Sequence, residues 1–202
     1  MPRPPAEESK DTVDRLLVAA AEAFARDGHQ ARLGDIAAAI GIRRSSLLYH
    51  FPTKEHLHAA VVRGAFAGLG AALAGAMTLT RGVDFRRRFD DVLSAFTEFV
   101  ERHRAVARVV LRELVGDGGP GREILVEQVV PLLDVVERFI RIEGRGIVRV
   151  GLPIRAALLQ IASDVVLRAA AGALGPALWG PRAGSRAAAD ALFFAEPQES
   201  SQ

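Results

Sequence analysis

From Asp11 to Phe194, apolar residues return at steps of three and four, and nowhere does a strand-like alternation persist. Val13, Leu16, Leu17, Ala20 and Phe24 share one helical face, as do Phe85, Phe89, Leu93, Phe96 and Val100, and again Val129, Leu132, Val136, Phe139 and Ile140. This periodicity predicts an all-α chain. Breaks fall where the chemistry demands them: Gly28 and Gly41 suit left-handed helix ends, Pro52 closes a segment, and "GDGGPG" at 116–121 separates two long helices. Helices are expected from Asp11 to Gly28, Leu33 to Ile40, Arg44 to Tyr49, from a Thr53 cap onward, over 85–103, to Val115, over 122–143 with a kink at Pro131, over 153–171, and over 185–194. "GALGPALWGPRAG" reads as loop, and the Pro-rich, polar residues 1–10 as a disordered arm.

Charge limits the partners. The 26 Lys and Arg nearly balance 24 Asp and Glu, for a net +2, so a nucleic-acid surface must be local and not general. With no cysteine, disulfides, thiol nucleophiles and Cys-based zinc sites are excluded. The five histidines, His29, His50, His56, His58 and His103, show no spacing with carboxylates that suggests a metal or a nucleophile pair, so neither cofactor nor metal nor enzymatic activity is expected. The N-terminus lacks the apolar core of a secretory signal, and no uninterrupted apolar run reaches the roughly 18 residues of a membrane span. A soluble, cytoplasmic protein without membrane contact is the expectation.

The sharpest local signal is "DIAAAIGIRRSSLLYHF", residues 35–51. Two helices that cross closely need a small residue in the first, a glycine in the turn and apolar residues facing inward from both. Ala37 and Gly41 meet the first two needs, and Ile36, Ile40, Ile42 and Leu47 the third. The start of the second of these helices then exposes Arg43, Arg44, Ser45 and Ser46, which suit guanine acceptors, other base edges or phosphates. Tyr49, His50 and Lys54 follow, and Lys54 lies in the first turn of the next helix, where free N–H groups already favour an anion. The plainer reading is a solvated helix start with Tyr49 packed inward and Lys54 in water.

Residues 16–57 resemble the N-terminal domain of the tetracycline-repressor (TetR) family of bacterial transcription regulators. The resemblance is carried by "AAxxxFxxxG" ending at Phe24 and Gly28, by "DIAxxxG", and by "LYHFPTKExL" at the third-to-fourth helix junction. It implies a homodimer with a helical C-terminal domain that binds a small molecule and releases operator DNA when occupied. It also implies DNA contacts from Arg44, Ser45, Ser46, Tyr49, His50 and Lys54. The sequence departs from the family pattern in three places: Ala31 and Arg32 replace the Thr common before the second helix, Arg43 replaces a turn Ser, and the recognition-helix Tyr stands one place late, with Leu48 in its usual position. Arg32 and Arg43 join the candidate DNA contacts as the basic residues at those points.

The expected organisation is an arm (1–10), a three-helix helix-turn-helix domain (11–52), and a helical-bundle domain for ligand binding and dimerisation (53–196). Beyond residue 65 no motif is present, and Phe85, Phe89, Phe96, Leu111 and Phe139 suit either a filled core or a pocket wall. His103, Arg112 and Gln128 are the polar candidates for a small apolar ligand. Asp164 interrupts the most apolar helix, with Arg168 four residues on; an intrahelical ion pair is the plain explanation and a subunit seam the sharper one. The nearly all-apolar stretch 153–171 needs cover on more than one side, which predicts an isologous dimer through it and the last helix, with Leu158, Ile161, Asp164, Val165, Arg168 and Leu192 at the seam. Two recognition helices would then read a near-palindromic double-stranded site about 34–36 Å apart. Control by a protein partner, with no small-molecule pocket, is the alternative.

Overall fold

The fold is that of a computed structural model, which describes residues 6–79, 82–116, 120–180 and 184–194. Among the described residues, ten α-helices follow in order. These are α1 (Ala6–Asp27), α2 (Leu33–Ala39), α3 (Arg44–His50), α4 (Lys54–Leu79), α5 (Phe85–Arg102), α6 (Arg104–Val115), α7 (Pro120–Glu143), α8 (Ile154–Ala171), α9 (Gly175–Trp179) and α10 (Ser185–Phe193). The expected all-α class is what the chain adopts; an isolated bridge between Val148 and Phe194 is the one β-type pairing among the described residues.

Three expectations need correction. Residues 6–10 belong to α1, so the arm does not extend over them, and residues 1–5 lie outside the described part. Second, "GALGPALW" is not loop: a 3-10 turn at Gly172–Leu174 leads into α9, with Pro176 in the first turn, where its missing N–H costs nothing. Third, α4 and the helix Ile154–Trp179 are long and apolar enough, by length and composition, to cross a membrane, at a mean hydropathy of 1.5. Both carry buried core faces, and the second is interrupted by the Asp164–Arg168 ion pair.

Contacts divide the chain into two units, Met1–Ala67 with His103–Gln128 and Gly68–Arg102 with Val129–Gln202. The division falls inside α4 and α7, not at the start of α4, because α6 and the first turns of α7 pack with the head. In the first unit, Leu16, Ala20 and Phe24 of α1 meet Ile36, Ala37, Leu47, Leu57, Val62 and Val109 in one core, each at most 1% exposed. Burying each of the larger side chains contributes about 1.5–3 kcal/mol.

The second unit is built on an aromatic cluster. Phe85 lies 5.6 Å from Phe139, and Phe89 lies 4.9 Å from Phe193 and 5.3 Å from Phe194, ring centre to ring centre. Gly144 is required beside it, since a Cβ there would stand 2.6 Å from the Ile140 carbonyl oxygen and 2.8 Å from Phe85 Cζ. The glycines of α4 also have a packing role: a Cβ at Gly68 would meet Phe99 at 3.2 Å, and one at Gly70 would meet Leu132 at 3.2 Å. Close approach offsets the helix propensity that glycine gives up.

Asp164 is held inside this unit. Its carboxylate accepts from Arg168 Nε at 2.8 Å, from Ser185 Oγ at 2.7 Å and from Trp179 Nε1 at 3.0 Å, so one side chain joins α8, α9 and α10. Arg168 also lies over the Trp179 ring, 5.0 Å from its centre. Burial raises the Asp164 pKa, but the three donors and the guanidinium charge outweigh it and hold the carboxyl below its usual range. The intrahelical pair read from the sequence is present and has two further donors.

Candidate nucleic-acid interface

The turn between α2 and α3 follows from its backbone groups. Gly41 has φ +76°, the left-handed region open to glycine, and its N–H donates to the Ala38 carbonyl at 3.0 Å. The Ile42 N–H donates to the Ala37 carbonyl, also at 3.0 Å. These two bonds form a Schellman end, which satisfies carbonyls that α2 would otherwise leave open and turns the chain toward α3. Arg15 adds a cap from α1, donating from Nη2 to the Ile40 carbonyl at 3.1 Å.

With the crossing fixed, the two faces of α3 separate cleanly. Leu47 is fully buried, Leu48 is half-buried, and Ile36 and Ala37 receive them from α2. On the other face Arg43, Arg44, Ser45 and Ser46 are exposed, and Tyr49 is 72% exposed, with the His50 ring edge-on 5.3 Å away. The plainer expectation, Tyr49 packed inward, is therefore replaced by an aromatic ring standing in solvent. Neither Arg43, ahead of α3, nor Arg32, ahead of α2, makes a side-chain cap hydrogen bond to its helix, and both are exposed.

The junction to α4 is equally determined. Phe51 is extended, as the residue before a proline must be, and packs against the first unit's core. Thr53 caps α4: its Oγ1 accepts from the His56 N–H at 3.2 Å and contacts His56 Nδ1 at 2.9 Å. Glu55 in that first turn is held below the usual carboxylate range, by a backbone N–H first and by the Thr53 hydroxyl next. Lys54 donates to the His29 carbonyl, tying the start of α4 to the turn after α1. An ammonium has three donors, so this bond leaves Lys54 with capacity for another acceptor.

The eight candidate DNA contacts thus lie in one unit, on α3, at the starts of α2 and α4, and at the turn before α3. The candidate ligand residues are not brought together in the same way. Phe85, Phe89, Phe96 and Phe139 belong to the second unit, where Phe85 and Phe89 are buried against Phe194, Phe89 also against Phe193, and Phe139 against Phe85. His103, Leu111, Arg112 and Gln128 belong to the first, and Arg112 is engaged there, donating to the Ala25 carbonyl at 3.2 Å and the Arg26 carbonyl at 3.0 Å. Ile161 and Val165, expected at a subunit seam, are buried at 7% and 2% within the second unit and present no surface. The outward apolar residues of α8 are Leu159 and Leu167 instead.

Residues 16–61 match the sequence model of the family described as bacterial regulatory proteins, tetR family. Over that stretch the chain is similar to the TetR family. Members of that family are DNA-binding transcription regulators and not enzymes. No curated protein matches this chain in sequence. Solved structures share its fold. One is the fatty acid degradation regulator FadR from Bacillus halodurans, with a TM-score of 0.68 at 16% identity, covering 89% of this chain and 94% of that one. Another is the ketosteroid transcriptional regulator KstR2 of Mycobacterium tuberculosis, with a TM-score of 0.66 at 19% identity, covering 92% and 96%. A third is the SmeT–triclosan complex, with a TM-score of 0.65 at 21% identity, covering 92% and 93%. At these identities the likeness is one of fold.

The sequence reading took Arg112 for a ligand candidate and did not single out the other braces of the head. Arg15, Arg112 and the pair His58 and Glu113 all act across 25 or more residues of chain, and no local spacing marks them. Lys54 was legible as a residue at a helix start, but its bond to His29 was not.

Proposed function

We propose that the protein is a cytoplasmic, homodimeric repressor that reads a near-palindromic operator and is released from it by a small apolar ligand. The observation that carries this reading is the division of α3 into a buried face at Leu47 and an exposed face of Arg44, Ser45, Ser46 and Tyr49. Arg43 and Arg44 supply fork-like donors for guanine O6 and N7, and the serines and Tyr49 supply hydroxyls for bases or phosphates. Arg32, His50 and Lys54 flank them as positioning contacts to the backbone.

Exposed Leu159 and Leu167 on α8, with Leu174 and Leu178 nearby in sequence, support a dimer through this region, Leu158 and Leu192 contributing at its edges. The structural relatives include a fatty acid degradation regulator, a ketosteroid transcriptional regulator and a complex with triclosan, which supports an apolar ligand for this chain as well. Such a ligand acts only by preferring the state with the wrong head separation for DNA, and we assign α4 as the helix that moves.

Gel-shift binding to the DNA upstream of the protein's own gene, with and without hydrophobic ligands, tests the reading. A specific complex that dissolves on adding one ligand supports it. Binding that no ligand changes would leave the regulator without its small-molecule arm and favour control by a protein partner.

A further inference from the structure

His58 sits on α4, one turn past the Thr53 cap, and is only 7% exposed. Its Nε2 lies 3.2 Å from Glu113 Oε1 on α6, and His29 Nε2 lies 3.8 Å from that same oxygen. The two imidazoles are 5.7 Å apart, and Phe24 of α1 meets His58 edge-on at 4.9 Å. Gly121 on α7 leaves room for the carboxylate, since a Cβ there would stand 2.2 Å from Glu113 Oε2. Next to Glu113, Arg112 holds the last carbonyls of α1. Two adjacent residues of α6 therefore hold the end of α1, the His29 turn and the start of α4, and so brace the head together with the Arg15 cap on Ile40.

We propose that His58 and Glu113 form a proton-sensitive latch between α6 and the DNA-reading head, closed when His58 is neutral and opened by acid. In the closed form neutral His58 donates its Nε2–H to the carboxylate. Acid adds a proton from solvent at the other ring nitrogen. The resulting imidazolium lies between Phe24 and Ile124, largely cut off from water.

The charges facing it are few. Glu113 on α6 favours the proton, His29 after α1 disfavours it once charged, and on α4 itself Glu55 and Lys54 oppose each other; α7 contributes the uncharged Gly121 and Ile124. Burial is the largest influence and pushes the His58 pKa down, with Glu113 pulling in the other direction. The imidazolium loses its hydration in this buried position and the one carboxylate facing it does not make that loss good, so protonation favours states in which His58 is hydrated and α6 has let go. DNA affinity then falls in acid through loss of bracing.

The inference rests on the DNA-binding reading for its consequence, but the latch is measurable without DNA. Two measurements on the full chain test it. In the first, imidazole NMR and amide exchange are followed from about pH 8 to about pH 5. The expected result is a His58 midpoint below about 6.5, with α6 amides losing protection over the same range. A midpoint at or above that value, or α6 protection that ignores it, overturns the latch.

In the second, affinity for a duplex selected from a random pool is compared at about pH 7.5 and about pH 5.5, at fixed ionic strength, for the wild type and His58→Gln. The wild type is expected to lose at least about fivefold more affinity in acid than the variant, which keeps a donor and cannot titrate. Equal losses overturn the proposal. Should His58→Gln not fold, Glu113→Gln takes its place: without the carboxylate charge the His58 midpoint moves lower, and an unmoved midpoint is contrary evidence. Failure to select any duplex would count against the DNA-binding reading while leaving the NMR and exchange result intact.

Discussion

The Ile42 N–H donates to the Ala37 carbonyl at 3.0 Å, and this bond sets the angle at which α3 leaves α2. It exists because Gly41, between the two, takes φ +76°. A side chain there would add about 1–2 kcal/mol of left-handed strain. Gly41→Ala should therefore lower stability by that order in urea unfolding and reduce DNA affinity further than stability alone explains, since α3 is re-aimed. Unchanged affinity would mean that the turn does not control the reading face.

Substitutions on the exposed face of α3 should separate binding from folding. Arg44→Ala removes no buried contact, so its unfolding midpoint should stay within about 0.5 kcal/mol of the wild type. Its operator affinity should fall by about 1–3 kcal/mol with relaxed choice at one base pair. Tyr49→Phe, which removes only a hydroxyl, should weaken binding less than Tyr49→Ala. Competition binding with single-base operator variants checks both.

Asp164 gives a stability prediction with a sign. Its folded pKa lies below the unfolded value of about 3.9, so its contribution is fully present above that value and is lost as pH falls through the folded pKa. Asp164→Asn should cost about 1–3 kcal/mol at neutral pH, because Arg168, Ser185 and Trp179 lose a charged acceptor. It should also flatten the acid limb of thermal stability below about pH 4. A variant with the wild-type acid limb would show that the carboxylate is not what binds α9 and α10 to α8.

Sequence reasoning reached different depths in the two units, for a physical reason. Ile36, Ala37, Gly41 and Leu47 act on neighbours within ten or so positions, so their spacing alone announces the crossing of α2 and α3. Asp164 and Arg168 were legible on the same ground, being one helical turn apart. Contacts across long stretches left no such trace: Arg112 with Ala25, Glu113 with His58, and Lys54 with His29 are joined only by the fold. Ile161 and Val165 misled because an all-round apolar helix does not say which side its own chain covers. The long reach of α1, and the short α9, were missed where weak local signals, a Pro-rich start and a run of glycines, pointed the other way.

Dimerisation should depend on the outward residues of α8. Leu159→Arg and Leu167→Arg, at 44% and 45% exposure, should yield a folded monomer by sedimentation at micromolar concentration, with operator affinity reduced by orders of magnitude. Substitutions at Ile161 or Val165 should instead unfold the second unit, costing about 1–5 kcal/mol as core truncations do. A dimer that survives both arginines would move the seam elsewhere.

The central claim is that paired copies of the α3 face read duplex DNA. The most direct measurement is hydroxyl-radical footprinting of the wild-type protein on its selected operator, at two salt concentrations. Two protected patches about 34–36 Å apart along one side of the duplex, fading as salt rises, are the expected result. A single patch, or no protection even in dilute buffer while the protein stays folded, would contradict the account.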